Sequence, residues 1–134
     1  MTQELTPQQV IQDLCRRDPR YPFEAYEFVF AALGYVQQEM KKKGLFEEGS
    51  QHVSGQQLST GCRDFAVQEF GLMAGTVLKS WNITRTDDIG EIVYNLIENQ
   101  LMTKTDTDSK ADFSNVFDLQ KSLSQTFQFN LDSP

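Results

Sequence analysis

Between Trp81 and Lys104 the apolar residues fall at intervals that a helix places on one side. Ile89, Ile92, Val93, Leu96, Ile97 and Leu101 recur every three or four positions, a single stripe on a 3.6-residue repeat. Thr86, just ahead of the stripe, is expected to act as N-cap, its hydroxyl accepting from a free amide of the first turn. Asp87 and Asp88 then set negative charge at the positive end of the helix dipole. The stretch predicts a core helix against which the remainder of the chain packs.

The segments before it carry the same period. Thr6-Pro7-Gln8-Gln9 opens a helix: Thr6 caps, Pro7 takes the first helical position and Gln9 reaches back in a capping box. Val10, Ile11, Leu14 and Cys15 supply the buried stripe, Arg16 and Arg17 suit the negative end of the dipole, and Asp18-Pro19 stops the helix. A second helix starts at Pro22 or Phe23. Tyr26, Val29, Phe30, Leu33, Val36 and Met40 share one face, while Phe28, Ala32 and Tyr35 make a second face apolar as well. A helix apolar on two sides is central or covered by a partner. Lys41-Lys42-Lys43-Gly44 closes it, the glycine suited to the left-handed region. Leu45 to Gln51 reads as a loop. Ser54-Gly55-Gln56-Gln57 repeats the capping-box pattern ahead of Leu58, Cys62, Phe65, Ala66 and Phe70. Gly71 interrupts, and Ala74, Val77, Leu78 and Trp81 continue as a shorter helix.

The C-terminal third is less regular. Gln51-His52-Val53, Met102 to Thr105 and Phe113 to Phe117 tolerate strand, and Asp106-Thr107-Asp108-Ser109 is a turn signature. Three helices between a leading strand and a trailing hairpin make a winged helix. The competing reading makes Asp108 to Phe113 a helical turn and the chain an irregular α-bundle. Asp118 to Phe127 predicts a last helix, with Leu119, Leu123 and Phe127 one turn apart, and Gln128 to Pro134 a frayed end. The expected class is mainly α: one compact helical domain over residues 1–134, winged-helix-like with a small C-terminal β-hairpin in one version. Its core is residues 6–118, and 119–134 form a C-terminal helix and tail.

Length and charge bound the function. A chain of 134 residues buries roughly two-thirds of its unfolded surface, enough for one core without disulfides or metal. The net charge of −7 repels a phosphate backbone on average, which disfavours nucleic acid as partner. Cys15 and Cys62 lack metal-ligand spacing and sit at apolar helical positions, so buried thiols in a reducing cytoplasm are expected. The polar start carries no signal-peptide pattern, and no stretch reaches the ~20 apolar residues of a membrane span.

No cluster declares chemistry. His52 is the one histidine, without an acidic or thiol partner at ligand spacing, and reads as structural. A Cys62–His52 nucleophile pair requires Cys62 to leave its apolar face. Asp106, Asp108 and Asp112 imitate the start of a calcium loop, but Lys110, Ala111 and Phe117 occupy positions needing a ligand, a glycine and a bidentate glutamate. Phosphate-binding glycine motifs are absent. No catalytic residue, metal or cofactor is expected, and the chain reads as a non-enzyme. Arg16, Arg17 and Arg20 are placed to bind an anion or an acidic partner segment. Alternatively, Asp18-Pro19-Arg20-Tyr21-Pro22 is a stiff corner whose Arg20 pairs locally. The polar side of the core helix offers Asp87, Asp88, Glu91, Asn95, Glu98 and Asn99, the wrong sign for reading DNA.

Five segments together resemble a known family. They are His52-Val53-Ser54-Gly55-Gln56-Gln57-Leu58; Arg63-Asp64-Phe65 with Phe70-Gly71; Thr86-Asp87-Asp88-Ile89-Gly90-Glu91-Ile92-Val93; Asp18 to Pro22; and Glu24 to Val29. Over about residues 10 to 118 the chain resembles a family of small uncharacterised bacterial proteins, a domain of unknown function. The resemblance implies a bacterial, cytoplasmic protein and carries no site residue onto this chain. The expected function is therefore a non-enzymatic protein-interaction or assembly module. A protein partner or a second copy would sit on Phe28, Ala32 and Tyr35, with Arg16, Arg17 and Arg20 beside them. The alternative is a nucleic-acid-associated regulator using Arg16, Arg17, Arg20 and Lys41 to Lys43.

Overall fold

The computed structural model describes residues 5–46, 52–103 and 109–124. The chain is mainly helical. Its elements are α1 (Pro7–Arg17), α2 (Phe23–Lys42), α3 (Gly55–Phe70), a 3-10 turn (Gly71–Met73), α4 (Ala74–Ser80), α5 (Thr86–Glu98) and a second 3-10 turn (Lys110–Phe113). Residues 119–124 are again helical. Among the described residues no helix is long and apolar enough to cross a membrane.

Local chemistry sets most of the boundaries. Thr6 and Gln9 form a reciprocal capping box on α1, and Ser54 and Gln57 form another on α3, each satisfying two amides that a helix start leaves open. At the end of α2, Gly44 takes φ +66° and the Leu45 amide reaches the Met40 carbonyl at 2.9 Å, a Schellman closure. Gly71 ends α3 at φ +51°, a backbone region costly for any other residue.

α2 runs between α3 and α5 and contributes Ala25, Tyr26, Phe28, Val29, Ala32, Val36 and Met40 to the core. Ile89, Ile92 and Leu96 of α5 are wholly buried, at about 1.5–3 kcal/mol each in transfer energy. Leu119 and Leu123 are buried on one side of the last helical stretch. Phe127 lies outside the described residues, as do Asp106, Asp108 and the segment from Gln128 onward.

Three expectations are corrected. Among the described residues there is no strand. Phe113–Phe117 is the end of a 3-10 turn followed by turn and bend, and His52 and Val53 are coil. The backbone a returning strand would offer is already spent. Asp112 accepts from the Ser109 amide at 3.1 Å, and the Ser109 hydroxyl accepts from the Ala111 amide at 3.1 Å. The Phe113 carbonyl takes the Thr86 hydroxyl at 2.8 Å. Phe113 to Phe117 therefore forms no returning strand; residues 104–108, where the hairpin's turn was expected, lie outside the described residues.

Second, Thr86 is not the N-cap of α5; Arg85 is, and Thr86 is the first helical residue, wholly buried. Its hydroxyl donates to Phe113 and accepts from the Val116 amide at 3.0 Å, so it ties the 3-10 turn to α5. The amides ahead of α5 are served by Asp88, which accepts from Thr84 and Arg85, each at 3.0 Å. Third, Cys15 is half-buried rather than buried, while Cys62 is wholly enclosed.

The 3-10 turn Lys110–Phe113 seats on two glycines. A Cβ at Gly90 would stand 2.7 Å from the Phe113 Cβ, and one at Gly55 would stand 2.8 Å from the Asp112 Cβ. Only a bare Cα admits the turn this closely onto both helices.

Candidate functional site

The arginines expected on a binding surface are occupied within the chain. Arg16 lies 3.6 Å and Arg17 2.9 Å from Asp13, and Arg17 also donates to Asn99 at 2.9 Å. Arg20 grips Asp18 at 2.8 Å and Glu91 of α5 at 3.1 Å. Lys110 reaches the same Glu91 at 3.2 Å. The corner is drawn onto α5 by neutral groups as well. Asn95 donates to Asp18 and to the Tyr26 hydroxyl, each at 3.1 Å, and Asn82 donates to the Arg20 carbonyl at 2.8 Å. Tyr21 donates to Asp88 at 2.6 Å. Hydrogen bonds from Arg20 hold the Asp18 carboxyl down at about 2. Burial and the bond to Asp88 push the Tyr21 phenol up. Arg20, with Arg17 through Asn99, thus clamps the α1–α2 corner to the α5 side, as the stiff-corner alternative has it, while Arg16 pairs only within α1.

The second apolar face of α2 resolves differently at each residue. Phe28 and Ala32 are buried inside the chain, so neither presents a surface. Tyr35 is half-buried. It begins a row of aromatic rings: Tyr35 to Phe65 at 5.4 Å, Phe65 to Phe28 at 5.6 Å, then Phe28 to Phe70 and Trp81 at 6.2 and 5.7 Å. Apart from Phe28, every ring in the row is partly exposed. Just after Phe70 in the chain, Leu72 and Met73 are 66% and 54% exposed, Leu72 bordering a separate groove with Lys79, Gln120 and Leu123. At the Tyr35 end of the row a groove of about 410 Å³ between α2 and α3 runs past Tyr35 to Leu45, itself 59% exposed. Glu39 and Asp64 line that groove. Burial first, then these two carboxylates, raise the Tyr35 phenol.

On the opposite side of α2 lies a cavity of about 500 Å³. Phe30, Leu33, Val93, Ile97, Met102 and Phe113 form most of its wall, and Gln37, His52, Tyr94, Thr103, Ser109 and Asp112 add polar groups. This is where the structure places His52. Burial pushes the Cys62 thiol up, and burial followed by Glu24 and Asp18 raises that of Cys15. Neither is an activated thiolate. Among the described residues no group of histidine, cysteine and carboxylate side chains is disposed to hold a metal.

The sequence reading missed Phe65, Phe70 and Trp81 as a surface row, because all three sit at inward helical positions. The available signal was the pair Leu72-Met73 directly after Gly71: two large apolar residues where the helix breaks. No family model, curated protein or solved structure matches this chain.

Proposed function

We propose that this chain is a non-enzymatic protein-interaction module, and that its partner is a different protein that covers the aromatic row. The observation that supports this reading most is the half-buried aromatic row from Tyr35 through Phe65 and Phe70 to Trp81. Aromatic and Met side chains are the groups enriched where proteins meet. Glu39 and Asp64 beside Tyr35 already pair with Lys42 at 3.7 Å and Arg63 at 3.0 Å, so the rings and not these charges carry the reading. A second copy of the chain fits less well. Each copy carries −7, which opposes association of like with like, and the residues that pointed to a homodimer, Phe28 and Ala32, are covered within one chain. A cytoplasmic setting goes with this reading, supported by two free cysteines.

The test places a photo-crosslinking amino acid at position 35, at 70 and at exposed position 98 as control. The same protein should be captured from 35 and 70, not from 98, and capture from 70 should fall at least about tenfold with Tyr35→Glu. Capture equal at all three positions, or unaffected by Tyr35→Glu, overturns the proposal.

A further inference from the structure

The cavity between α2, α5 and the second 3-10 turn is separate from the aromatic row and asks for a different occupant. Its volume of about 500 Å³ falls inside the roughly 300–1,000 Å³ range of small-molecule sites. Its wall is mostly apolar, with rings from Phe30, Tyr94 and Phe113, and aromatic walls favour a flat aromatic body. One polar edge is fixed in place. Asp112 is held by its bond from the Ser109 amide and by its Cβ lying against Gly55. His52, three residues before Gly55, lines the same cavity. A carboxylate at this edge disfavours an anion and favours a donor or cation, which can form a charge-assisted hydrogen bond with it.

We infer that this cavity binds a small aromatic ligand carrying an amine or ring N–H donor, its body among Phe30, Ile97 and Phe113 and its donor at Asp112. Three probes share one ring system and differ in charge: tryptamine, indole and indole-3-acetate. Each is titrated into the full chain at pH 7 while backbone amide resonances are followed. Tryptamine should shift the amides of residues 30, 94, 97 and 113 saturably, indole more weakly, and indole-3-acetate at least about tenfold more weakly than tryptamine. Asp112→Asn keeps the shape of the side chain and should remove that discrimination. Glu98→Gln, which changes net charge by the same amount at an exposed site, should leave it intact. Leu33→Trp fills the cavity and should abolish all three responses. The inference is overturned if tryptamine gives no saturable shift at these residues, if indole-3-acetate binds as well as tryptamine, or if binding survives Leu33→Trp. Should Asp112→Asn fail to fold, the ranking of the three probes on the native chain and the Leu33→Trp result decide it.

Discussion

The α1–α2 corner and the aromatic row both border α2, yet they are finished in opposite ways. At the corner every arginine meets a carboxylate of the same chain, and Tyr21, Asn82 and Asn95 close the remaining polar gaps. Along the row the rings touch one another but, Phe28 apart, stop short of full burial. Charged groups already tied into a network of pairs and hydrogen bonds offer a partner less than unpaired ones, although each exposed pair alone contributes only about 0–1 kcal/mol. Apolar surface left half-covered retains transfer energy that a second protein can still collect. The corner therefore reads as internal fastening and the row as the face that remains available.

The sharpest way to break this contrast is at the fastened side. Gly90→Val should destabilise the chain by about 3 kcal/mol or prevent folding, because its Cβ meets Phe113 with no room to move; a urea midpoint unchanged from the parent would refute the close seat. Thr86→Val removes a buried hydroxyl that serves both Phe113 and Val116. Leaving those two backbone groups unsatisfied should cost about 2 kcal/mol in the same assay.

Acid titration, compared between the parent and Asp18→Asn, reads the corner. Asp18 sits at about 2 against an ordinary value of 3.8. A depressed folded value means that its contribution is complete above the ordinary value and disappears as pH falls towards 2. After allowance for the half-exposed Arg20 partner, the loss across that window should be about 1 kcal/mol, and Asp18→Asn should flatten it. The smallest effect belongs to the open side. Leu72→Ser with Met73→Ser should move stability by no more than about 0.5 kcal/mol, since exposed positions carry little folding energy. A large drop in melting temperature would show these two side chains to be packed after all.

What could be read from the sequence follows how local each interaction is. The two capping boxes, the Gly71 break and the Gly44 closure depend on residues within one turn of each other, and each matches the pattern of its residues. Thr86 was misassigned because its partner lies 27 positions away; nothing within its own turn distinguishes a cap from a tether. Phe113 to Phe117 has strand-tolerant composition, but Ser109 and Asp112 set a local capping pattern that overrides it. For Phe28 and Ala32 the period gave the correct face of the helix, whereas the neighbour that covers it depends on how α3 and Trp81 arrive. The cavity was invisible for the same reason, as its wall is assembled from residues scattered between Phe30 and Phe113.

The turn that seats on Gly55 and Gly90 has a consequence for how the molecule breathes. Asp112 rests on the first residue of α3, and Phe113 is bonded to the first residue of α5. Neither helix can fray at its start without lifting the same four-residue wedge, so the two ends form one opening unit. Amide hydrogens in the first turns of α3 and α5 should exchange with solvent at a shared rate, and a change that loosens either end should release both.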